Sequence, residues 1–194
     1  MKIKSLLAAV LFATTAIATV PAVAAPVAYK LDPAHTSVAF IVNHVGFSNA
    51  IGRFNTVSGD VAFDQDALAN NKVTVVIDTA SVDTNHAKRD EHLRSPDFFN
   101  VKEFPKMTFT STRIEQTDDK TGKLYGDLTL LGVTRPVVLD VTFNKSGVSP
   151  ASKLETVGFS ARGTVKRTDF GMKYGAPAIG ENIQLLIEAE AVKS

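Results

Sequence analysis

Cysteine and tryptophan are absent from the 194 residues. Without cysteine there is no disulfide, no thiol nucleophile and no thiolate metal ligand. Three tyrosines and no tryptophan leave little aromatic surface for stacking nucleic-acid bases. Charge of one sign is missing too. Lys and Arg number 21 against 20 Asp and Glu, a net charge of +1, so no strong overall field favours nucleic acid or an anionic membrane. Catalytic signatures are as scarce. The nearest approach to a nucleophile elbow, Gly158-Phe159-Ser160-Ala161, fails at its last position. There is no glycine-rich phosphate loop and no dinucleotide fingerprint. The carboxylates are scattered, and no pair stands out as an acid–base couple.

One long apolar run is present, at the start. Lys2 and Lys4 precede Ser5–Val20, which is apolar or small, and Ala22-Val23-Ala24 offers the small residues of a signal-peptidase site. The run is short of the ~20 apolar residues a membrane span needs. It is read as a signal peptide over residues 1–24, with Ala25 as the new N-terminus. No cysteine follows the site, which excludes a lipid-anchored lipoprotein, and there is no twin arginine. The expected destination is the periplasm. Cleavage takes the net charge from +1 to −1 (+1 − 2) and leaves 170 residues (194 − 24), enough for a core without staples.

What remains alternates apolar and polar residues in short runs. Tyr29–Leu31 opens the fold and Asp32-Pro33 turns it. Strands are expected over Thr36–His44, Arg53–Asp64, Lys72–Asp78, Lys106–Ile114, Lys123–Leu131, Arg135–Asn144, Leu154–Arg167 and Asn182–Val192. Gly46–Gly52 is read as a connection, Gly59 as a bulge or bend, Gly132-Val133-Thr134 as a tight turn and Lys145–Lys153 as a loop. Only Ser81–Phe109 breaks the pattern. It reads as a short helix, capped near Asp83, Thr84 or Asn85 and ended by Pro96, with Asp90 and Arg94 spaced to pair across a turn. A loop with Phe98, Phe99 and Phe104 follows, and with Leu93 it can close one end of a β structure.

About eight strands with hairpin-length connections and one apolar face each make an all-β, antiparallel protein. A sandwich and an up-and-down barrel both bury such faces, and the sequential hairpins favour the barrel. Eight strands enclose an interior that side chains fill or that holds one ligand. Ala161, Gly163, Ala189, Ala191 and Gly126 face inward, either leaving a cavity or fitting the taper of a packed barrel. The Phe-rich loop tilts the reading toward a cavity with an apolar mouth.

Histidines and carboxylates of the helix invite a metal reading. His86 and Asp90 share a helix face, but His92 lies about 200° from Asp90, so a ligand set would need His35 or His44 from elsewhere. A capping and hydrogen-bonding network of Asp83, Asn85, Arg89 and Asp90 is favoured instead, and no metal or cofactor is expected. His44 ends an apolar face, as an interior histidine or as a group that orients the polar end of a ligand.

Several runs carry a family likeness. They are Ser81-Val82-Asp83-Thr84-Asn85, Arg89-Asp90, His92-Leu93-Arg94-Ser95, Asp97-Phe98-Phe99, Phe40-x-Val42-x-His44-x-Gly46-Phe47, Gly52-x-Phe54, Phe104-Pro105-x-Met107-x-Phe109-x-Ser111, Gly126-x-Leu128-Thr129-Leu130-x-Gly132-Val133-Thr134-x-Pro136-Val137 and Asp169-Phe170-Gly171. In order and over nearly all of residues 25–194, they closely resemble the YceI-like family of bacterial periplasmic polyisoprenoid-binding proteins. The resemblance implies an eight-stranded, lipocalin-like antiparallel barrel with a short helix. It implies an apolar tunnel for a long isoprenoid or similar lipid, of the quinone or prenyl phosphate class, with its polar head near the mouth. It implies no enzymatic activity.

The expected lining is Val38, Phe40, Val42, His44, Phe47, Phe54, Phe98, Phe99, Met107, Phe109, Leu128, Leu130, Val137, Leu139, Phe159 and Ile187. Each buried methylene contributes ~0.8 kcal/mol, so a long tail is held without charged contacts. Two other functions stay open at this point. One is an enzyme acting on a bound lipid, with His44 or the Asp83–Asp90 cluster as acid and base. The other is a ligand-free stress or interaction protein, a homodimer among its forms.

Overall fold

The computed structural model describes residues 25–194; the signal peptide read over residues 1–24 lies outside them. The alternating runs form strands β1 (Val27–Leu31), β2 (Ser37–His44), β3 (Ser48–Phe54), β4 (Val57–Phe63), β5 (Lys72–Asp78), β6 (Val82–Asp83), β7 (Lys106–Gln116), β8 (Thr121–Leu130), β9 (Val133–Val148), β10 (Glu155–Lys166) and β11 (Asn182–Lys193), with helix α1 (Ala87–Arg94) between β6 and β7. All pair antiparallel in one sheet, in the order β1-β4-β5-β7-β8-β9-β10-β11-β2-β3-β6. Tyr29, Lys30 and Leu31 of β1 also pair with Lys193, Val192 and Ala191 of β11. This closes β1, β4, β5, β7, β8, β9, β10 and β11 into an eight-stranded barrel.

The β2–β3 hairpin is an offshoot of that ring. β11 is long enough to pair with β1 at its C-terminal end and with β2 over Gln184–Glu188. Where β1 stops at the Asp32 turn, whose carboxylate accepts from Ala34 N at 2.9 Å, β2 takes over the same edge. β3 then pairs with β2, and two residues of β6 with β3. Connections are therefore not all between neighbours, although every pairing is antiparallel.

Period-two alternation puts apolar residues inside and polar ones outside. Asp127, Asp140, Thr142, Arg162, Thr164, Lys166, Gln184 and Glu188 are exposed, while Leu128, Leu139, Ala161 and Val165 are buried. This polarity is the inverse of a membrane-spanning barrel, whose apolar band faces out. Among the described residues no helix is long and apolar enough to cross a membrane.

Two bulges keep the alternation in phase with the barrel. Ser111 pairs with Gly126 but Arg113 with Tyr125, so Thr112 is extra. The side chains facing inward change from Met107 and Phe109 to Ile114 and Gln116. Asn144 is extra in the same way, between Phe143↔Phe159 and Lys145↔Gly158. An extra residue reverses the facing of all that follow.

Several strand limits differ from the sequence expectation. Gly46–Gly52 is mostly β3 rather than a connection, because Val45 and Gly46 both take positive φ (56° and 77°) and turn the chain in a tight hairpin. The expected strand Arg53–Asp64 is two, broken at Asn55-Thr56. Gly59 is no bulge. It stays in register with Val75, and its backbone lies so close to Thr74 O that a Cβ would sit 2.2 Å from it. The turn after β8 is Leu131-Gly132, one residue earlier than expected, and β9 runs on to Val148.

The helix begins later than expected. Asp83 Oδ1 accepts from Asn85 N (2.8 Å) and Asn85 has φ 58°, so the chain is still turning at those residues. His86 is the N-cap, its Nδ1 accepting from Arg89 N at 3.2 Å. Ser95 ends the helix, before Pro96 as expected. Asp90 and Arg94 do not pair. Asp90 is buried, and its Oδ1 accepts from Thr84 N (2.8 Å) and Thr84 Oγ1 (2.5 Å). Arg94 reaches the main chain of the preceding segment, donating to Ala80 O and Val82 O, both at 2.7 Å. Arg89 donates to Thr84 Oγ1 and Thr84 O. Charged donors on carbonyls thus pin the helix across one end of the barrel.

Candidate ligand-binding cavity

Inward side chains leave a cavity of about 620 Å³ along the barrel. Its wall is aliphatic and aromatic for most of its length. β7 defines the two ends: it leaves the Phe loop at Lys106 and reaches the turn before β8 at Gln116. The cavity is lined by Phe98, Phe99 and Met107 at the first end and by Gln116, Lys120 and Thr121 at the other.

At the helix end, His92, Phe98 and Tyr174 pack edge to face or tilted, with centroids 4.9–5.2 Å apart. Phe99 meets Phe54 edge-on at 5.4 Å. The loop after β10 comes to the same end, held by Arg167. This buried guanidinium donates Nε to Gly180 O, Nη1 to Met172 O and Nη2 to Ile179 O, each at 2.8 Å. Burial lowers its pKa from the ordinary value, and the charge of Glu181 acts in the opposite sense. The β2–β3 hairpin joins through the bridge His44↔Ile179 and Val45 N→Ala178 O at 3.0 Å. Thr84, Arg89, His92, His44 and Arg167 are the polar groups lining this end. They come from three separate segments, and we call this end the mouth.

At the opposite end Phe63, Phe143 and Phe159 form a second aromatic cluster, with centroids 5.3–5.8 Å apart. Beneath it Tyr29, Val61, Val157 and Ala191 make a small solid core.

Of the residues expected to line a pocket, Val38, Phe40, Val42, His44, Phe54, Phe98, Phe99, Met107, Phe109, Leu128, Leu130, Val137, Leu139, Phe159 and Ile187 all face the cavity. Phe47 does not, and that expectation is corrected. It is 91% exposed, because it closes the hairpin turn with its N–H on His44 O (3.1 Å) and falls outside the inward series Ala50, Gly52 and Phe54. His44 is likewise not an interior histidine but an exposed residue at the mouth.

The wall has further members. Val57, Val61, Val73, Val75, Ile77, Leu124 and Phe143 line it too, and their alternating positions would have found them. Arg89, Arg167 and Tyr174 carry no such local signal, since folding of distant loops brings them to the mouth.

The inward glycines do not make the cavity. A Cβ on Gly126 would stand 2.3 Å from Phe109 Cζ, one on Gly52 2.3 Å from Phe40 Cζ, and one on Gly163 2.5 Å from Leu139 Cδ2. These glycines seat neighbouring side chains against bare backbone. Ala161 and Ala189 do line the open space.

Neither Asp83 nor Asp90 reaches the cavity. Asp83 is engaged by Asn55 Nδ2 (3.0 Å) and Asn85 N. Among the described residues no three His, Cys, Asp or Glu side chains cluster closely enough to hold a metal ion.

A closed antiparallel barrel with a hollow apolar interior and a polar-edged mouth defines a binding protein for an apolar or amphiphilic small molecule. The YceI-like domain matches residues 29–191, and the chain belongs to that family. Protein YceI of Shigella flexneri is 41% identical over 167 residues, which is 85% of this chain and 86% of that one. The crystal structure of the Campylobacter jejuni YceI protein superposes with a TM-score of 0.71 at 36% identity, covering 78% of this chain and 90% of that one. A polyisoprenoid-binding domain from Saccharophagus degradans shares the fold, with a TM-score of 0.64 at 16% identity over 87% of this chain and 99% of that one.

Proposed function

We propose that the protein is a periplasmic carrier, exported by a signal peptide over residues 1–24, that holds a polyisoprenoid or similar long-chain amphiphile in its barrel. The observation that carries this reading is the continuous apolar cavity of about 620 Å³. Its wall supplies area for an extended tail at ~0.8 kcal/mol per buried methylene. Polar groups line both ends: Gln116, Lys120, Thr121 and Lys123 the far one, and His44, Arg89 and His92 the mouth, where we seat the polar head. A quinone or prenyl phosphate head accepts hydrogen bonds there while its tail runs toward Phe63, Phe143 and Phe159. The polyisoprenoid-binding domain of the same fold supports this ligand class. The proposed role is binding without catalysis.

The test is organic extraction and mass spectrometry of protein purified from the periplasm, with native mass spectrometry of the intact complex. A stoichiometric long-chain species is expected. An empty protein that also refuses added isoprenoid quinones, prenyl phosphates and fatty amides would overturn the reading and leave a ligand-free interaction protein.

A further inference from the structure

The mouth carries an exposed apolar surface. Phe47 is 91% exposed, Ile51 62%, Val45 48% and Tyr174 47%, and three of the four sit in the β2–β3 hairpin. That hairpin is tied to the loop carrying Tyr174 by the His44↔Ile179 bridge and the Val45 N→Ala178 O bond. The tip and the mouth therefore move as one. Val45 adds a second observation. It is β-branched yet holds φ 56°, a conformation that favours Gly or Asn and is costly for such a side chain. An apolar residue stands where a polar turn residue would be less strained.

The two segments that carry this surface have no negative charge. Residues 43–52 contain no carboxylate, and residues 171–180 contain none either but include Lys173. Lys173 and Lys88, at the start of α1, are exposed. Of the rim carboxylates, Asp97 is held by His92 at 2.8 Å, Asp90 is buried by Thr84, Glu181 is engaged by Thr168 and Lys166, and Glu103 by Asn100, leaving Glu91 and Asp169 exposed without a side-chain partner. The chain as a whole is near neutral, so this bias is local.

We propose that the mouth docks on a phospholipid bilayer. Phe47, Val45 and Tyr174 enter the interfacial region, and Lys88 and Lys173 meet the phosphates. Aromatic side chains flanked by lysines are the combination that settles at a membrane interface. Docking is peripheral, by a hairpin tip and not by a span. It deepens the carrier reading and rests on it: with the mouth against the bilayer, an apolar tail passes between membrane and cavity without crossing water.

The experiment is flotation of the purified protein with vesicles of phosphatidylethanolamine and phosphatidylglycerol, beside Phe47→Ser and Lys173→Glu. Phe47 makes no core contact, so Phe47→Ser folds normally, and losing its burial weakens partition about tenfold or more. Lys173→Glu weakens it further at low salt. Failure of the wild type to float, or equal flotation of Phe47→Ser, overturns the proposal. So does sedimentation velocity showing that Phe47→Ser only splits a dimer, which would make the patch a self-association face. Extraction of bound lipid from the same samples separates the two readings. Protein that holds lipid but does not float refutes docking alone. Protein that floats through Phe47 without holding lipid supports docking and refutes the carrier.

Discussion

Replacing Ala161 with phenylalanine distinguishes a hollow barrel from a packed one by the sign of its effect. Ala161 is mid-barrel on β10, opposite Val141 of β9 and Ile187 of β11, and it lines the cavity. In a packed interior the added ring would force neighbours off their rotamers and destabilise by ~1–3 kcal/mol. In open space it buries apolar area instead and stabilises the lipid-free protein by ~2 kcal/mol. For a chain of this length each kcal/mol moves Tm by about 2–4 °C, so Ala161→Phe raises Tm by about 4–8 °C. The same ring takes the place of roughly one isoprene unit of ligand. About five carbons at ~0.8 kcal/mol each amount to ~4 kcal/mol, or affinity about a thousandfold weaker for a chain that fills the barrel. A short-chain analogue that stops before mid-barrel loses little. Differential scanning calorimetry on lipid-extracted protein measures the first effect, since bound lipid would itself raise Tm. Competition against a fluorescent long-chain probe measures the second. A lowered Tm, or unchanged long-chain affinity in the folded variant, would refute the reasoning.

Gly126→Ala has the opposite sign: its Cβ would lie 2.3 Å from Phe109 Cζ. Displacing that ring destabilises by ~1–3 kcal/mol, read as an earlier midpoint in urea with unchanged slope. Asp90→Ala strands the buried Thr84 N and Oγ1 donors and destabilises by ~3 kcal/mol; hydrogen exchange should show α1 opening ahead of the barrel, and uniform loss of protection would count against its role as a pin. The exposed pair Asp32–His35, 2.7 Å apart, titrates in a defined direction. Asp32 holds His35 above its ordinary 6.5, chiefly through their hydrogen bond, and His35 holds Asp32 below its ordinary 3.8. The His35 contribution to stability is full below pH 6.5 and is lost as pH rises through the raised value. The Asp32 contribution is full above pH 3.8 and is lost as pH falls through the lowered one. Between these pH values both are present. Asp32→Asn should bring the His35 titration seen by NMR down toward 6.5, and an unmoved curve would exclude the pairing in solution.

Period-two alternation was sufficient to assign an all-β antiparallel chain and the inward face of most strands, because side-chain facing is a local property of extended backbone. Val38, Phe40, Leu128, Leu130, Val137 and Leu139 could be placed on the wall from their own runs. The same locality explains the helix limit before Pro96. Where facing changes within a run, periodicity misleads. Phe47 lies beyond a turn built from Val45 and Gly46 at positive φ, and the bulges at Thr112 and Asn144 depend on the partner strand. Closure through β1 and β11, the offshoot of β2 and β3, and the meeting of Arg89, Arg167 and Tyr174 at one mouth all come from contacts between residues far apart in the chain. Whether small inward residues leave space was likewise a tertiary matter. Gly126 is filled by Phe109 and Gly163 by Leu139, while Ala161 is left open, because the room at each position is set by the side chain across the strand.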